Sequence, residues 1–176
     1  YCAAKGGVVN MTRALAIEEK IFGPDHPRVA NNLTNFGLIY RDAGDLPRAL
    51  EYHQRACSIR ERALGPSSPD FATSLSTVAS LKLATGDLEG AIAGQKQAGD
   101  VRERDFAYTL SAGSERQKLL YLDRTAHELD ATISLHTLRA PGSLEARRIA
   151  LEAILRRKGR ALDAMVDTIA SLRARA

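Results

Sequence analysis

Histidine and cysteine are the side chains here best suited to hold a metal or carry covalent chemistry. None of the four histidines or two cysteines stands at a spacing that does either. His127 precedes Glu128, but the H-E-x-x-H pattern of a zinc helix needs a second histidine, which is absent. His26 falls in a turn-forming stretch, and His53 and His136 fall on apolar faces, where a histidine belongs to the core rather than to a metal. Cys2 and Cys57 fit no metal or redox spacing and are expected to be reduced thiols of a cytoplasmic protein. Asp123, Glu128 and Asp130 are read as solvated helix charges. The basic run Arg156-Arg157-Lys158-Gly159-Arg160, with Arg147, Arg148, Arg173 and Arg175, could meet phosphate. Glu145, Glu152, Asp163 and Asp167 dilute it, and no aromatic residue is interleaved for base stacking. It is expected to be a solvated face or a contact to another domain, so nucleic acid is not an expected partner. No metal and no cofactor are expected.

The elements that would have to position any site are written in a repeat. Gly23-Pro24 recurs as Gly65-Pro66, Gly44-Asp45 as Gly86-Asp87, and Ala49 as Ala91, each 42 residues on. Ala14, Ala56 and Ala98 form a three-term series, as do Ile17, Ile59 and Val101. A fixed period of this size marks stacked helical hairpins, each burying its apolar face on the next. Composition agrees. Ala and Leu dominate, which favours helix, hydrophobic residues make up 44% of the 176, and the formal net charge of +4 is too mild to imply a partner. No apolar run approaches the ~18 residues a membrane span needs. The chain opens on Tyr rather than Met and is expected to be a fragment.

Within one period, Asp25-His26-Pro27 predicts a helix start, with a small polar cap and Pro in the first turn. Leu33, Phe36, Gly37 and Tyr40 follow at helical spacing, and the small Ala30 and Gly37 admit a close second helix. Ala43-Gly44-Asp45 ends it. Pro47 falls in the first turn of a second helix, which carries Leu46, Ala49, Leu50, His53, Ala56, Ile59 and Ala63 on one face. The next period repeats the plan from Pro69 to Ala98.

The pattern Leu33…Phe36-Gly37…Tyr40…Gly44…Ala49…Ala56 resembles the tetratricopeptide repeat. The connector Ile17 to Ala30 looks like that of the 42-residue subclass found in kinesin light chains and many bacterial signalling proteins. Lys82 departs from the family's Tyr, and His53 and Gln95 stand where a bulky aromatic is usual, so the second repeat is expected to be degenerate. The resemblance implies an α-α superhelix that binds a protein or peptide ligand in a concave groove lined by the first helix of each hairpin. By position, Asn31, Thr34, Asn35 and Leu38 would face that groove, with Thr73, Ser76, Thr77 and Ser80 one repeat later. The Asn35 amide could bond a ligand backbone through both donor and acceptor; Thr77 replaces it in the second repeat.

The period stops after Arg104. Ser114-Glu115-Arg116-Gln117 reads as a capping box opening a helix with Leu119, Leu122, Ala126, Leu129, Ile133 and His136 on one face. Ala140-Pro141-Gly142 breaks it, and Ser143 caps another, with Leu151, Leu155, Lys158, Leu162, Met165, Ile169 and Leu172 in a stripe. Two such stripes predict an antiparallel helical hairpin. The stretches Gly113 to Gln117 and Ile154 to Ala164 resemble the region between the repeats and the caspase-like domain of bacterial TPR–CHAT proteins. That resemblance implies the recognition or regulatory arm of a CHAT-type peptidase, with the caspase-like domain as a partner in cis. No catalytic residue transfers to this chain.

Residues 1–16, with Tyr1 and Lys5 four apart and Gly6-Gly7 after them, resemble the Y-x-x-x-K segment of short-chain dehydrogenases. In that family the Tyr moves the proton, and the Lys lowers its pKa and holds the nicotinamide ribose. That family needs a strand and Gly-rich turn upstream of the Tyr to cradle a dinucleotide, and here helical repeat follows it. The alternative function is therefore a dehydrogenase fragment using Tyr1 and Lys5, which cofactor binding would distinguish from a scaffold. The expected architecture is all-α. Residues 1–6 form an end of foreign or coincidental origin, 7–105 the tetratricopeptide hairpins with the first incomplete, and 106–176 a helical hairpin. The function expected is non-enzymatic protein binding, and the incomplete hairpin is expected to expose an apolar helix face and favour weak self-association.

Overall fold

The structure is a computed structural model and describes residues 2–112, 141–156 and 159. Among these residues there is no strand. Over residues 2–112 five helices follow one another: α1 (Cys2–Phe22), α2 (Pro27–Asp42), α3 (Leu46–Leu64), α4 (Pro69–Ala84) and α5 (Leu88–Ala112). Two compact units divide the chain, Tyr1–Ser114 and Glu115–Ala176. In the first, α2 packs on α3 and α4 on α5 as hairpins, while α1 on α2 and α3 on α4 join one hairpin to the next. Each helix thus meets its sequence neighbours, the arrangement of an α-α superhelix. The chain is all-α, as its period predicts.

Two kinds of turn alternate. Inside a hairpin, Gly44 takes φ 81° after Ala43, and the Asp45 amide donates to the Tyr40 carbonyl at 2.8 Å. Gly86 and Asp87 do the same, with the Lys82 carbonyl as acceptor at 2.8 Å. The Asp then caps the next helix: Asp45 accepts from the Arg48 amide at 3.2 Å and Asp87 from the Gly90 amide at 2.8 Å. Between hairpins, Gly65 turns at φ 85° and ψ 163°, and Pro69 opens α4. The start of α2 differs from the expected small cap. His26 fills the role, its Nδ1 accepting from the Arg28 amide at 3.2 Å, while Asp25 turns outward to pair with Arg62 at 2.8 Å.

The core follows the period. Val29, Ala30 and Leu33 of α2 pack with Ala56 and Ile59 of α3, and one hairpin on, Phe71, Ala72 and Leu75 of α4 pack with Ala98 and Val101 of α5 and with Cys57. Phe36 and Tyr40 both stack on Tyr52, with ring centroids 5.3 Å apart in each pair. At the matching places the second hairpin has Val78, Lys82 and Gly94. There α5 approaches α4 through small residues, so closely that a Cβ on Gly94 would lie 3.0 Å from that of Ala79. The first term of each series behaves differently: Ala14 is exposed, whereas Ala56 and Ala98 are buried. Ile59 and Val101 are fully buried, whereas Ile17 is 57% exposed and Ile21 66%.

Polar seams join the hairpins. Asn32 of α2 donates to Glu18 of α1 at 2.6 Å, and Arg60 of α3 donates to Ser74 of α4 at 2.6 Å. Both partners of the second pair lie one period after those of the first. Glu19 and Arg55 add an ion pair between α1 and α3.

In the second unit a helix occupies 144–156, its Ser143 hydroxyl accepting from the Ala146 amide at 3.2 Å, as the expected cap requires. The inward face is not the leucine stripe. Leu151 and Leu155 are 54% and 57% exposed, while Ala146, Ile149 and Ala150 are buried. Both stripes have helical spacing, so periodicity alone could not choose between them. The expected capping box at Ser114 and the stripe from Leu119 to His136 lie outside the described residues, as does the stripe beyond Lys158.

Candidate functional site

The first helices of the two hairpins, α2 and α4, carry all eight candidate residues. On α2, Asn31 and Asn35 are exposed and Thr34 and Leu38 half-buried. The Thr34 hydroxyl donates to the Ala30 carbonyl at 2.9 Å, and Asn31 Oδ1 accepts from Arg60 at 3.0 Å. Asn35 makes no hydrogen bond with another described residue, so both ends of its amide face outward unengaged.

On α4, Thr73 and Ser80 are exposed and Ser76 and Thr77 half-buried. Thr73 donates to the Pro69 carbonyl at 3.0 Å, Thr77 to that of Thr73 at 3.0 Å, and Ser80 to that of Ser76 at 2.9 Å. Ser76 points elsewhere: its hydroxyl donates to Gln95 Oε1 at 3.2 Å and accepts from Arg102 at 2.8 Å. The two rows are brought together indirectly. Arg60 holds Asn31 of α2 and Ser74 of α4 at once, fixing the spacing between the helices. No direct bond joins the α2 candidates to the α4 candidates among the described contacts.

Arg60 and Arg102 were not among the sequence candidates, although they stand 42 residues apart, a signal the period itself offers. Behind this face lie His53 and Gln95, again one period apart and both buried. The His53 ring lies against Gly37, where an added Cβ would come within 2.4 Å of it, and its Nε2 is buried without a partner. Burial, reinforced by Arg41 and Arg60, holds its pKa below the usual imidazole value. Burial pushes the Cys57 thiol up to about 11, which leaves it a packing group rather than a nucleophile at neutral pH.

The eight residues are amides, hydroxyls and one leucine, with no carboxylate, imidazole, amine or thiol among them. The hydroxyl protons of Thr34, Thr73, Thr77 and Ser80 go to helix carbonyls, so these side chains turn oxygen lone pairs outward. Asn35 adds a donor and an acceptor. Among the described residues no group of three His, Cys, Asp or Glu could hold a metal ion, and no helix is long and apolar enough to cross a membrane. Of the basic run, Arg148 and Arg156 both pair with Glu152, at 2.9 and 3.6 Å. Lys5 lies within α1; Tyr1, His127, His136 and the basic residues beyond Arg156 lie outside the described residues.

Comparison with known proteins bears on the fold and on one segment. No curated protein sequence matches the chain. Among solved structures it is similar to BtubC from P. vanneervenii, at 17% identity and a TM-score of 0.54 over 87% of this chain and 59% of that one. It thus spans less than two thirds of BtubC. It is also similar to a kinesin-light-chain candidate from Podosopora anserina with nearly identical TPR-like repeats, at 15% identity and a TM-score of 0.51, covering 98% of this chain and 88% of that one. A variant of that protein gives 17% identity and 0.52, covering 97% and 85%. At such identities these likenesses speak for the fold alone. The family model for the tetratricopeptide repeat matches residues 10–62, which take in most of α1, all of α2 and nearly all of α3. Residues 10–62 therefore carry a tetratricopeptide repeat, a module that generally mediates protein–protein interaction.

Proposed function

We propose that this chain binds a peptide or an extended segment of a protein partner along the face shared by α2 and α4. In this reading Asn31, Thr34, Asn35 and Leu38 form one wall of a groove, and Thr73, Ser76, Thr77 and Ser80 the other. The observation that carries it is the unengaged Asn35 amide on a face that has no charged side chain among its eight residues. An amide so placed can meet both the N–H and the C=O of an extended backbone. The test is selection of ligands from a displayed peptide library, followed by titration against Asn35→Ala and Leu38→Glu. Each is expected to weaken binding by about tenfold or more, in line with the ~1–3 kcal/mol of a lost buried hydrogen-bond partner. A selected peptide that binds both variants as tightly as the parent would remove this face from the proposal.

The biological setting we infer is that of a recognition or regulatory arm of a bacterial, cytoplasmic CHAT-type peptidase. Support comes from the sequence resemblance of Gly113 to Gln117 and Ile154 to Ala164, joined to the tetratricopeptide match over 10–62. Reading the source locus in frame beyond Ala176 tests it: a caspase-like segment with His and Cys is expected, and a different domain there would overturn it.

A further inference from the structure

We propose that His53 is an acid-sensitive latch in the α2–α3 hairpin. As a neutral imidazole it holds α2 against α3, and its protonation releases α2 together with the face α2 carries. The latch is a matter of the hairpin's own stability, so it stands apart from whether that face binds a peptide.

The geometry leaves no place for the charged ring. His53 is 3% exposed, and its Nε2 is buried without a hydrogen-bond partner. The ring occupies the space that a side chain at residue 37 would fill, and Gly37 is the reason α2 can come so close. The amide and carbonyl of Gly37 belong to the ladder of α2. A proton on Nε2 would therefore place a buried donor where there is no acceptor, on a group that has also lost its hydration.

The surrounding charges point the same way. Arg41 at the end of α2 and Arg60 on α3 both oppose a positive ring. Along α3, Tyr52 is raised by burial and Cys57 is pushed up to about 11, so neither supplies a negative charge near neutrality. The carboxylates on the neighbouring helices are placed elsewhere: Asp42 of α2 pairs with Arg41 at 2.9 Å, Glu18 of α1 accepts from Asn32, Glu19 pairs with Arg55, and Asp70 of α4 is exposed. None of them acts appreciably on the ring.

The repeat supplies an internal control. One period on, the same position is Gln95, also buried, which does not titrate and accepts from Ser76 at 3.2 Å. One period back it is Met11. Gln95 shows that a side chain that cannot titrate is accepted at this place in a hairpin, and methionine likewise lacks the titration.

With the folded-state pKa below the unfolded one, the neutral ring contributes its full stability above about pH 6.5. That contribution is lost as pH falls from there through the folded value, because the unfolded chain takes up the proton first. The experiment compares thermal unfolding of the full chain at pH 7.5 and 5.5 with that of His53→Gln and His53→Met. Far-UV circular dichroism reports the helices and near-UV tyrosine signal the Tyr40–Tyr52 stack. The parent is expected to lose roughly 4 °C or more beyond the change seen in either variant. All other groups are common to the three chains and cancel. Equal losses in parent and variants would overturn the latch. If neither variant folds, histidine NMR of the parent decides. A ring at residue 53 that gains its proton near pH 6.5 while the amide spectrum stays native overturns it; protonation only with loss of the native α2–α3 signals supports it.

Discussion

The residue pairs that differ between the two hairpins show how one architecture is met by two sets of side chains. In the first, a large ring at His53 faces Gly37; in the second, Ala79 faces Gly94. Bulk sits on α3 in one case and is divided between small partners in the other. Each solution is tuned to its own neighbours, so exchanging a single member should fail. Gly37→Ala puts a Cβ 2.4 Å from the His53 ring, inside van der Waals contact. The expected cost is about 1–3 kcal/mol, the range for overpacking a core, read as a lower urea midpoint with an unchanged slope. Gly37→Ala combined with His53→Ala should recover part of that loss, since the ring is what the methyl meets. A single Gly37→Ala variant as stable as the parent would contradict the close approach.

At the scale of the element, glycine has opposite values in turns and in helices. Gly44 turns the chain at φ 81°, where an L-residue is strained; Gly99 lies inside α5, and a Cβ there would meet nothing within 4 Å. Gly44→Ala is expected to cost about 1–2 kcal/mol, and Gly99→Ala to add ~0.5–1 kcal/mol. Chemical denaturation of the two variants should move the midpoint in opposite directions; a shift in the same direction would refute the assignment of one of them. These turns were legible in the sequence because their chemistry is local: Gly44-Asp45 and Gly86-Asp87 encode a left-handed residue followed by a cap. The helices they bound were legible for the same reason. What involves a neighbour was not. The burial of Cys57 and Ser74, and the reach of Arg60 to Asn31 and Ser74, depend on which helix packs beside α3. In 144–156 two stripes of equal spacing competed, and the smaller Ala146–Ile149–Ala150 face went inward. The candidate face was legible as a row of positions, but the turning of Ser76 toward Gln95 and Arg102 was not.

Over the first unit as a whole, stability is shared between hairpins and the seams that couple them. In an array where helices meet chiefly their sequence neighbours, a seam sets how far unfolding of one hairpin drags the next. The α1–α2 seam is made by Glu18 and Asn32, and the α3–α4 seam by Arg60 and Ser74. Arg60 also reaches back to Asn31 within its own hairpin, whereas the second partner of Glu18, Arg28 at 4.0 Å, lies across the same seam. Arg60→Met keeps much of the stem and removes the bonds to both. Ser74 retains its own bond to the Asp70 carbonyl at 2.9 Å, so it is not orphaned, and the loss should be limited to about 1–2 kcal/mol. The effect on cooperativity should be larger than that on the midpoint. With the coupling weakened, α4 and α5 can open while α2 and α3 remain closed, and the urea slope should fall. Amide exchange should then separate into two classes, faster over α4–α5 than over α2–α3, whereas the parent chain is expected to show closer values. An unchanged slope with uniform exchange would mean that apolar packing between α3 and α4 carries the coupling and that Arg60 serves chiefly to space Asn31 from Ser74.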